Sequence, residues 1–501
     1  MKKIFVISFL ALLVSLTSCR KWLDVKPENQ KTTEEQFGSY SGFADALNGV
    51  YIKLKNRNIY GEKLTMTNIE SLAQLWHLTG TTRLDDNELS LFTYADANLD
   101  LSANARNSIS QIWLGLYNTI ANANMIINNM PLHGSVINDP AKRSVILGEA
   151  LAIRAFCHLD VLRLFGQLPK NATKQVSLPY AESVSTSDLP TYYNYAQFVA
   201  KIEADLLAAE QLLDKNDPIF SNTFAELNTL ATGVQDDFMR FRQNRFNYWA
   251  VKGLQARFYL YIGNTAKAYT IAKSIINATG PTSNKVITLS SQEDFALGYL
   301  TSPSESLMML HVVNLADYVS TVFGPDALSR VGTFNVSLNT AKLTTLYAGI
   351  PTVANNGRYQ KLWNVTTTNQ AGTTLPTLKK YNQDAAVGTL PVNVTKRQVI
   401  PLIRLSEMYL IVMETTTDLA EANALYQQYQ LSHDATSGIL FPTLDAVKTG
   451  VINEYRREFY AEGQMFYTYK RLGATTMLNR TGAVTEAHYI LPIPMTEFNP
   501  K

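Results

Sequence analysis

Apolar residues in this chain recur three and four positions apart over long stretches, which excludes a sheet-dominated fold. From 141 to 166, Leu147, Leu151, Ala155, Leu159, Leu162 and Phe165 form one stripe, ending at Gly166, a residue suited to a helix C-terminus. From 445 to 473, Val447, Val451, Tyr455, Phe459, Phe466 and Tyr469 repeat the pattern. Both read as buried scaffold helices. The same spacing predicts helices over about 42–54, 107–129, 192–213, 247–262, 266–278, 400–414 and 419–430.

Within 248–276, Ala256, Tyr259, Gly263 and Ala268 have the small, aromatic, turn, small spacing of a tetratricopeptide helix pair. Small residues there let two antiparallel helices approach closely. Positions 404–429 repeat the layout, with a polar turn from Thr415 to Asp418 and with Ala420, Ala422 and Ala424 on the returning helix. These interrupted repeats predict a partial helical solenoid. Between them lie Gly-, Pro-, Thr- and Asn-rich stretches at 277–284, 302–339 and 351–396, read as loops with a short strand near 306–313. Long irregular insertions on a rigid frame are where binding usually concentrates.

Met1-Lys2-Lys3 followed by an apolar run from Ile4 to Leu16 reads as an export signal over 1–18. The run is shorter than the roughly 20 residues a membrane span requires, and no later stretch qualifies. Leu16-Thr17-Ser18-Cys19 is similar to a bacterial lipobox, so Cys19 is expected to carry lipid. More than one acyl chain, at about 0.8 kcal/mol per buried CH₂, gives stable anchoring. Of the 501 residues, 44 are Lys or Arg and 42 are Asp or Glu; without Lys2 and Lys3 the charges balance. No basic footprint for nucleic acid remains.

The six histidines are scattered, and none shows a zinc-enzyme spacing. Gly-x-Ser-x-Gly, Walker A and Gly-x-Gly-x-x-Gly patterns are absent. Cys157 reads as a small buried hydrophobe. No metal site, cofactor or catalytic residue is assigned. Glycosidases need only two carboxylates close together in space, which spacing along the chain does not report. Glu454 and Glu458, one helical turn apart beside Arg456 and Arg457, read as an ion-pair network, and Asp85-Asp86 as part of a turn over 80–88.

Several blocks occur in an ordered series. Trp22-Leu23-Asp24, Ala46-Leu47-Asn48-Gly49-Val50-Tyr51, and Trp113, Tyr117, Ile120 and Asn124 come first. Gly148-Glu149-Ala150 leads through Arg154-Ala155-Phe156 to Arg163-Leu164-Phe165-Gly166-Gln167-Leu168-Pro169. Arg404 to Ile411, Arg456-Arg457-Glu458, Glu462-Gly463-Gln464, Lys470-Arg471-Leu472-Gly473 and Leu491-Pro492-Ile493-Pro494 complete the set. Together they resemble the SusD/RagB family of outer-membrane nutrient-binding lipoproteins of Bacteroidota. Leu425 to Tyr429 and Met465 to Tyr469 depart from the family pattern, so starch cannot be assumed as the ligand.

The resemblance implies an all-α fold: a tetratricopeptide-like scaffold of about eight helices in four units, with a loop-rich ligand-binding portion and minor short strands. It divides the chain into an N-terminal region 19–215, a middle helix pair with loops at 216–300 and a C-terminal region 301–501. It also implies a lipid-anchored protein, exposed at the cell surface on the outer membrane. Its partner would be a SusC-like TonB-dependent transporter, to which it delivers captured oligosaccharide without bond-breaking chemistry. A peptide ligand and a purely structural lid or scaffold are the alternatives, with a surface hydrolase ranked last.

Sugar rings are recognised by flat aromatic faces together with Asn, Asp and Arg side chains that reach the hydroxyls. Trp76, Arg83, Asn87, Tyr318 and Trp363 are the residues that fit this chemistry. Trp76 also fits a helical apolar face with Ile69 and Leu72.

Overall fold

The computed structural model describes residues 31–498 apart from 77–82, 96–102, 173–176, 185–189, 230–232, 324–335, 337, 351–352, 354–355, 366–374, 382–392 and 434–439. The frame is built from α1 (Tyr40–Leu54), α2 (Ala103–His133), α3 (Pro140–Phe165), α4 (Tyr195–Leu213) and α5 (Tyr248–Tyr261). It continues with α6 (Thr265–Asn277), α7 (Leu405–Thr415), α8 (Leu419–His433), α9 (Leu444–Glu458) and α10 (Met465–Leu472). Each of α1 to α7 packs on the next; α7 then carries both α8 and α9, and α10 returns to α3. This is the expected all-α, tetratricopeptide-like arrangement. Among the described residues no helix is long and apolar enough to cross a membrane.

Local sequence explains where the helices start. Ser39, Asp139, Asn194, Asn247, Asn264 and Thr443 each accept a backbone N–H from the first turn of α1, α3, α4, α5, α6 and α9, respectively. Such a cap stabilises a helix by about 1 kcal/mol. From Val145 onward α3 is buried on almost every side. Its polar groups therefore must be paired internally. Arg154 grips Asp205 of α4 with two bonds of 2.7 and 2.6 Å, Arg163 pairs with Asp160, and Glu149 accepts from Arg242 at 2.5 Å. Cys157 is fully buried.

Three expectations need correction. The helix expected over 400–414 is two elements: strand β2 (Val399–Arg404), antiparallel to β1 (Ser306–His311), and then α7. All six residues of β2 are buried, and the continuous apolar run Val399–Ile403 has no period to separate strand from helix. The helix expected over 445–473 breaks into α9 and α10 at a turn in which Ala461 and Gly463 have φ of 61° and 74°. The predicted helix over 192–213 begins at Tyr195, because Tyr192–Tyr193 forms a two-residue strand with Leu178–Pro179. Gly166 ends α3 as expected, in an extended conformation; a Cβ there would lie 2.6 Å from the Leu162 carbonyl oxygen.

Candidate functional site

The turn between α9 and α10 is where the loop-rich insertions meet the N-terminal region. Tyr460 in this turn takes the edge of Trp76 at 4.9 Å between ring centroids and that of Trp363 at 5.0 Å. Phe323 lies against Trp76 at 5.6 Å and against Tyr381 at 6.2 Å. Four separate segments of the chain thus meet the turn between α9 and α10 in one aromatic cluster.

The polar tips of these rings are satisfied inside the cluster. Tyr460 donates its hydroxyl to the Leu75 carbonyl at 2.5 Å, and Trp76 Nε1 donates to the Met66 carbonyl at 2.9 Å. Trp363 Nε1 donates to the Tyr347 hydroxyl at 3.2 Å, and Tyr381 donates to the Ala461 carbonyl at 2.9 Å. Lys380 adds bonds of 3.0 and 3.1 Å to the carbonyls of Glu458 and Tyr460. On the other side, Gly463 N–H donates to Glu70 at 2.7 Å. Burial pushes the Glu70 carboxyl up to about 8 despite that bond, so it is largely protonated at neutral pH.

Beneath the rings lies a buried ion network. Arg404 forks onto Glu462 with two bonds of 2.9 Å and reaches Glu458 at 2.6 Å and Glu305 at 2.5 Å. Arg358, from the insertion, donates to Glu454 at 2.8 Å and Glu458 at 3.0 Å, while Arg457 holds Glu454 at 2.7 Å and Lys380 pairs with Glu462. Arg358, Lys380, Arg404 and Arg457 match Glu305, Glu454, Glu458 and Glu462 charge for charge. Burial by itself would raise the pKa of Glu454, but the adjoining arginines outweigh it and hold the carboxyl down at about 2. A carboxylate so held cannot serve as a general acid near neutral pH. Arg456, expected in the network, instead donates to Tyr469 and Asn453.

The structure brings Trp76 and Trp363 together but leaves each only 3% exposed. As open faces for a ring they are corrected: an indole at the root of a loop buries more apolar area by packing than by standing free. Arg83 is tied to Asp86 and donates to Glu62 at 2.9 Å. Asp85 and Asp86 lie on a short helix (Leu84–Ser90), not in a turn, and fully buried Asp86 accepts from Asn68 at 2.7 Å and Ser71 at 3.0 Å. Asn87, on the same helix, is half-buried, and its side-chain amide has no partner among the described residues. Tyr318 falls on the helix Leu315–Phe323, and its side chain lies outside the described set, as does the whole of Cys19.

Sequence reasoning missed Tyr460, Arg358 and Lys380. Tyr460 looked like one more residue of a continuous helix, and Arg358 and Lys380 lay in insertions with no nameable motif. Among the described residues no group of three or more His, Cys, Asp or Glu side chains could hold a metal ion.

Residues 21–231 match a protein family described as starch-binding and associating with the outer membrane. SusD-like proteins P25 and P2 of Formosa agariphila are each 29% identical to this chain, over 164 and 171 residues. Those matches span 33% and 34% of this chain, and only 30% and 31% of the relatives' own length. Among solved structures, a SusD superfamily protein from Bacteroides thetaiotaomicron superposes with a TM-score of 0.66 at 22% identity, over 92% of this chain and 97% of that one. A laminarin-binding SusD-like protein gives 0.64 at 18% identity over 92% and 97%. The likeness in fold covers 92% of the chain, while the family match in sequence spans residues 21–231, which hold α1 to α4. The chain thus matches the SusD-like family over residues 21–231 and has the fold of SusD superfamily structures.

Proposed function

We propose that this protein is a non-catalytic glycan-binding lipoprotein of the outer membrane, anchored through Cys19, which captures oligosaccharide and passes it to a SusC-like TonB-dependent transporter. The observation that carries the reading is the match of residues 21–231 to a family described as starch-binding and associating with the outer membrane. The laminarin-binding relative in fold supports it, and so does the aromatic cluster that fixes four segments of the chain around Tyr460.

In this reading Trp76 and Trp363 fix the segments that carry them, Arg83 orients the helix that bears Asn87, and Asn87 and Tyr318 are the candidate ligand contacts. Asn87 offers both a donor and an acceptor, which suits sugar hydroxyls. The test is a screen of soluble protein beginning after Cys19 against polysaccharides and peptide mixtures by affinity electrophoresis and calorimetry. Binding to a glycan that weakens in Asn87→Ala, with the fold intact, is expected. A folded protein that binds no glycan would favour the scaffold role instead, and one that binds only peptides would change the ligand class. Loss of lipid labelling and of membrane retention in Cys19→Ala tests the anchor separately.

A further inference from the structure

Where α3, α5, α7 and α10 converge, a narrow crevice of about 20 Å³ lies among Arg163, Arg257, Tyr261, Glu407, Tyr467 and Arg471. Arg257 uses Nε and Nη2 on Glu407, both at 2.7 Å, and Nη2 also on the Leu402 carbonyl at 2.6 Å. Arg471 forks onto Glu414 at 2.7 and 2.9 Å, and Arg163 pairs with Asp160 while its guanidinium covers the Tyr467 ring at 3.7 Å. Three buried polar atoms of this lining have no protein partner among the described residues: Arg257 Nη1, Tyr261 Oη and Tyr467 Oη. Leaving three such groups idle at one helix junction costs stability without return, and buried polar groups in folded proteins are paired as a rule.

We propose that this crevice is a binding site for a single structural water, which accepts from Arg257 Nη1 and bridges the hydroxyls of Tyr261 and Tyr467. The volume exceeds the roughly 10–15 Å³ that one water requires, and three partners are the usual number for a buried water. An anion is disfavoured by charge, because each of the three guanidiniums already faces its own carboxylate: Asp160, Glu407 or Glu414. A metal cation is disfavoured by the donor set, since Glu407, the carboxylate of the lining, is committed to Arg257 through both oxygens. Such a water would tie α5 of the tetratricopeptide-like pair to α10, an element that has no direct hydrogen bond to Tyr261.

The test uses Tyr261→Phe, Tyr467→Phe and the double variant of the full mature protein, read by the midpoint of chemical denaturation. Each single variant is expected to shift the midpoint downward. The double variant should shift it by less than the two single shifts together, because both hydroxyls act through one water. A midpoint unchanged or raised in either single variant would overturn the proposal, since removing an idle hydroxyl relieves a penalty. A crystal structure should show one spherical peak within hydrogen-bonding distance of all three atoms; an empty crevice, or an anomalous peak there after chloride is replaced by bromide, would also overturn it.

Discussion

Trp76 and Trp363, from opposite halves of the chain, both meet the ring of Tyr460 edge-on, at 4.9 and 5.0 Å. The same residue donates its hydroxyl to the carbonyl that precedes Trp76, so one side chain sets the spacing between two loop roots and anchors one of them.

Tyr460→Phe should keep the ring contacts and lose only the bond to Leu75, lowering stability by about 1 kcal/mol. Tyr460→Ala should cost about 3–5 kcal/mol, as for other buried aromatic truncations. Urea denaturation separates the two, and equal costs would show that the hydroxyl, not the ring, holds the cluster. For ligand-binding tests, Trp76→Phe is therefore a better variant than Trp76→Ala, which confounds binding with folding.

Arg358→Met removes a guanidinium shared by Glu454 and Glu458 in a setting closed to water. Breaking a buried pair on one side typically costs about 3–5 kcal/mol, because the orphaned charge stays behind. Glu454 and Glu458 keep Arg457 and Arg404, so a loss near the lower end, about 3 kcal/mol, is expected. Arg358→Lys should recover little of it, since one ammonium cannot copy the planar donor geometry. Full recovery in the lysine variant, measured by equilibrium unfolding, would reduce the interaction to simple charge.

Gly463 combines a φ of 74° with a close approach to the N-terminal region: a Cβ there would lie 2.1 Å from the Leu64 carbonyl oxygen. The left-handed conformation alone costs a non-glycine residue about 1–2 kcal/mol, and here backbone must also move. Gly463→Ala is thus expected to lower stability by more than about 2 kcal/mol and to weaken the contact of the turn with Glu70. Thermal unfolding with amide exchange at Gly463 and its neighbours checks this.

Acid should destabilise the fold in two stages. Burial, reinforced by the nearby Arg154 charge, holds the His158 pKa well below its ordinary 6.5, and burial holds that of His311 at about 4. These histidines ionise in the unfolded chain first, so stability present above pH 6.5 is lost as pH falls below it. Glu454 adds a second loss between its ordinary value near 4.5 and about 2, because its stabilisation needs the ionised form. His158 accepts the Ala181 N–H at 3.1 Å through Nε2, so protonation there also breaks a tie to the 178–182 strap. His158→Gln is expected to flatten the melting-temperature profile between about pH 6.5 and 4.5; an unchanged slope would assign that stage elsewhere.

The helical frame was readable because α2 to α6 carry long periodic stretches, and α3 to α6 each start at an Asp or Asn cap. Two boundaries were not readable, for different reasons. The strand Val399–Arg404 is buried on both faces, so neither of its sides carries the polar residues that would have exposed a period of two. The break after Glu458 depends on Gly463 meeting the Leu64 carbonyl, a contact between the two ends of the chain that no local window contains. The aromatic site residues were found by type but misjudged in exposure. A tryptophan in a polar insertion looks alike on paper whether it faces a ligand or pins its own loop, and the choice here is made by Tyr460 and Tyr347. The carboxylates Glu454 and Glu458 were rightly read as paired, yet their main partners, Arg358 and Arg404, come from elsewhere in the chain.

The turn between α9 and α10 also bears on the order in which the protein can be completed. Synthesis delivers Glu70 393 residues before its partner Gly463, and Trp76 long before Tyr460, so this part of the N-terminal region must wait for the turn between α9 and α10. Contacts of such long sequence separation form slowly, because a very large loop has to close first. A ribosome-bound chain would therefore keep Trp76 and Glu70 without these partners until that turn emerges, which makes a holding chaperone part of what this architecture demands of the cell.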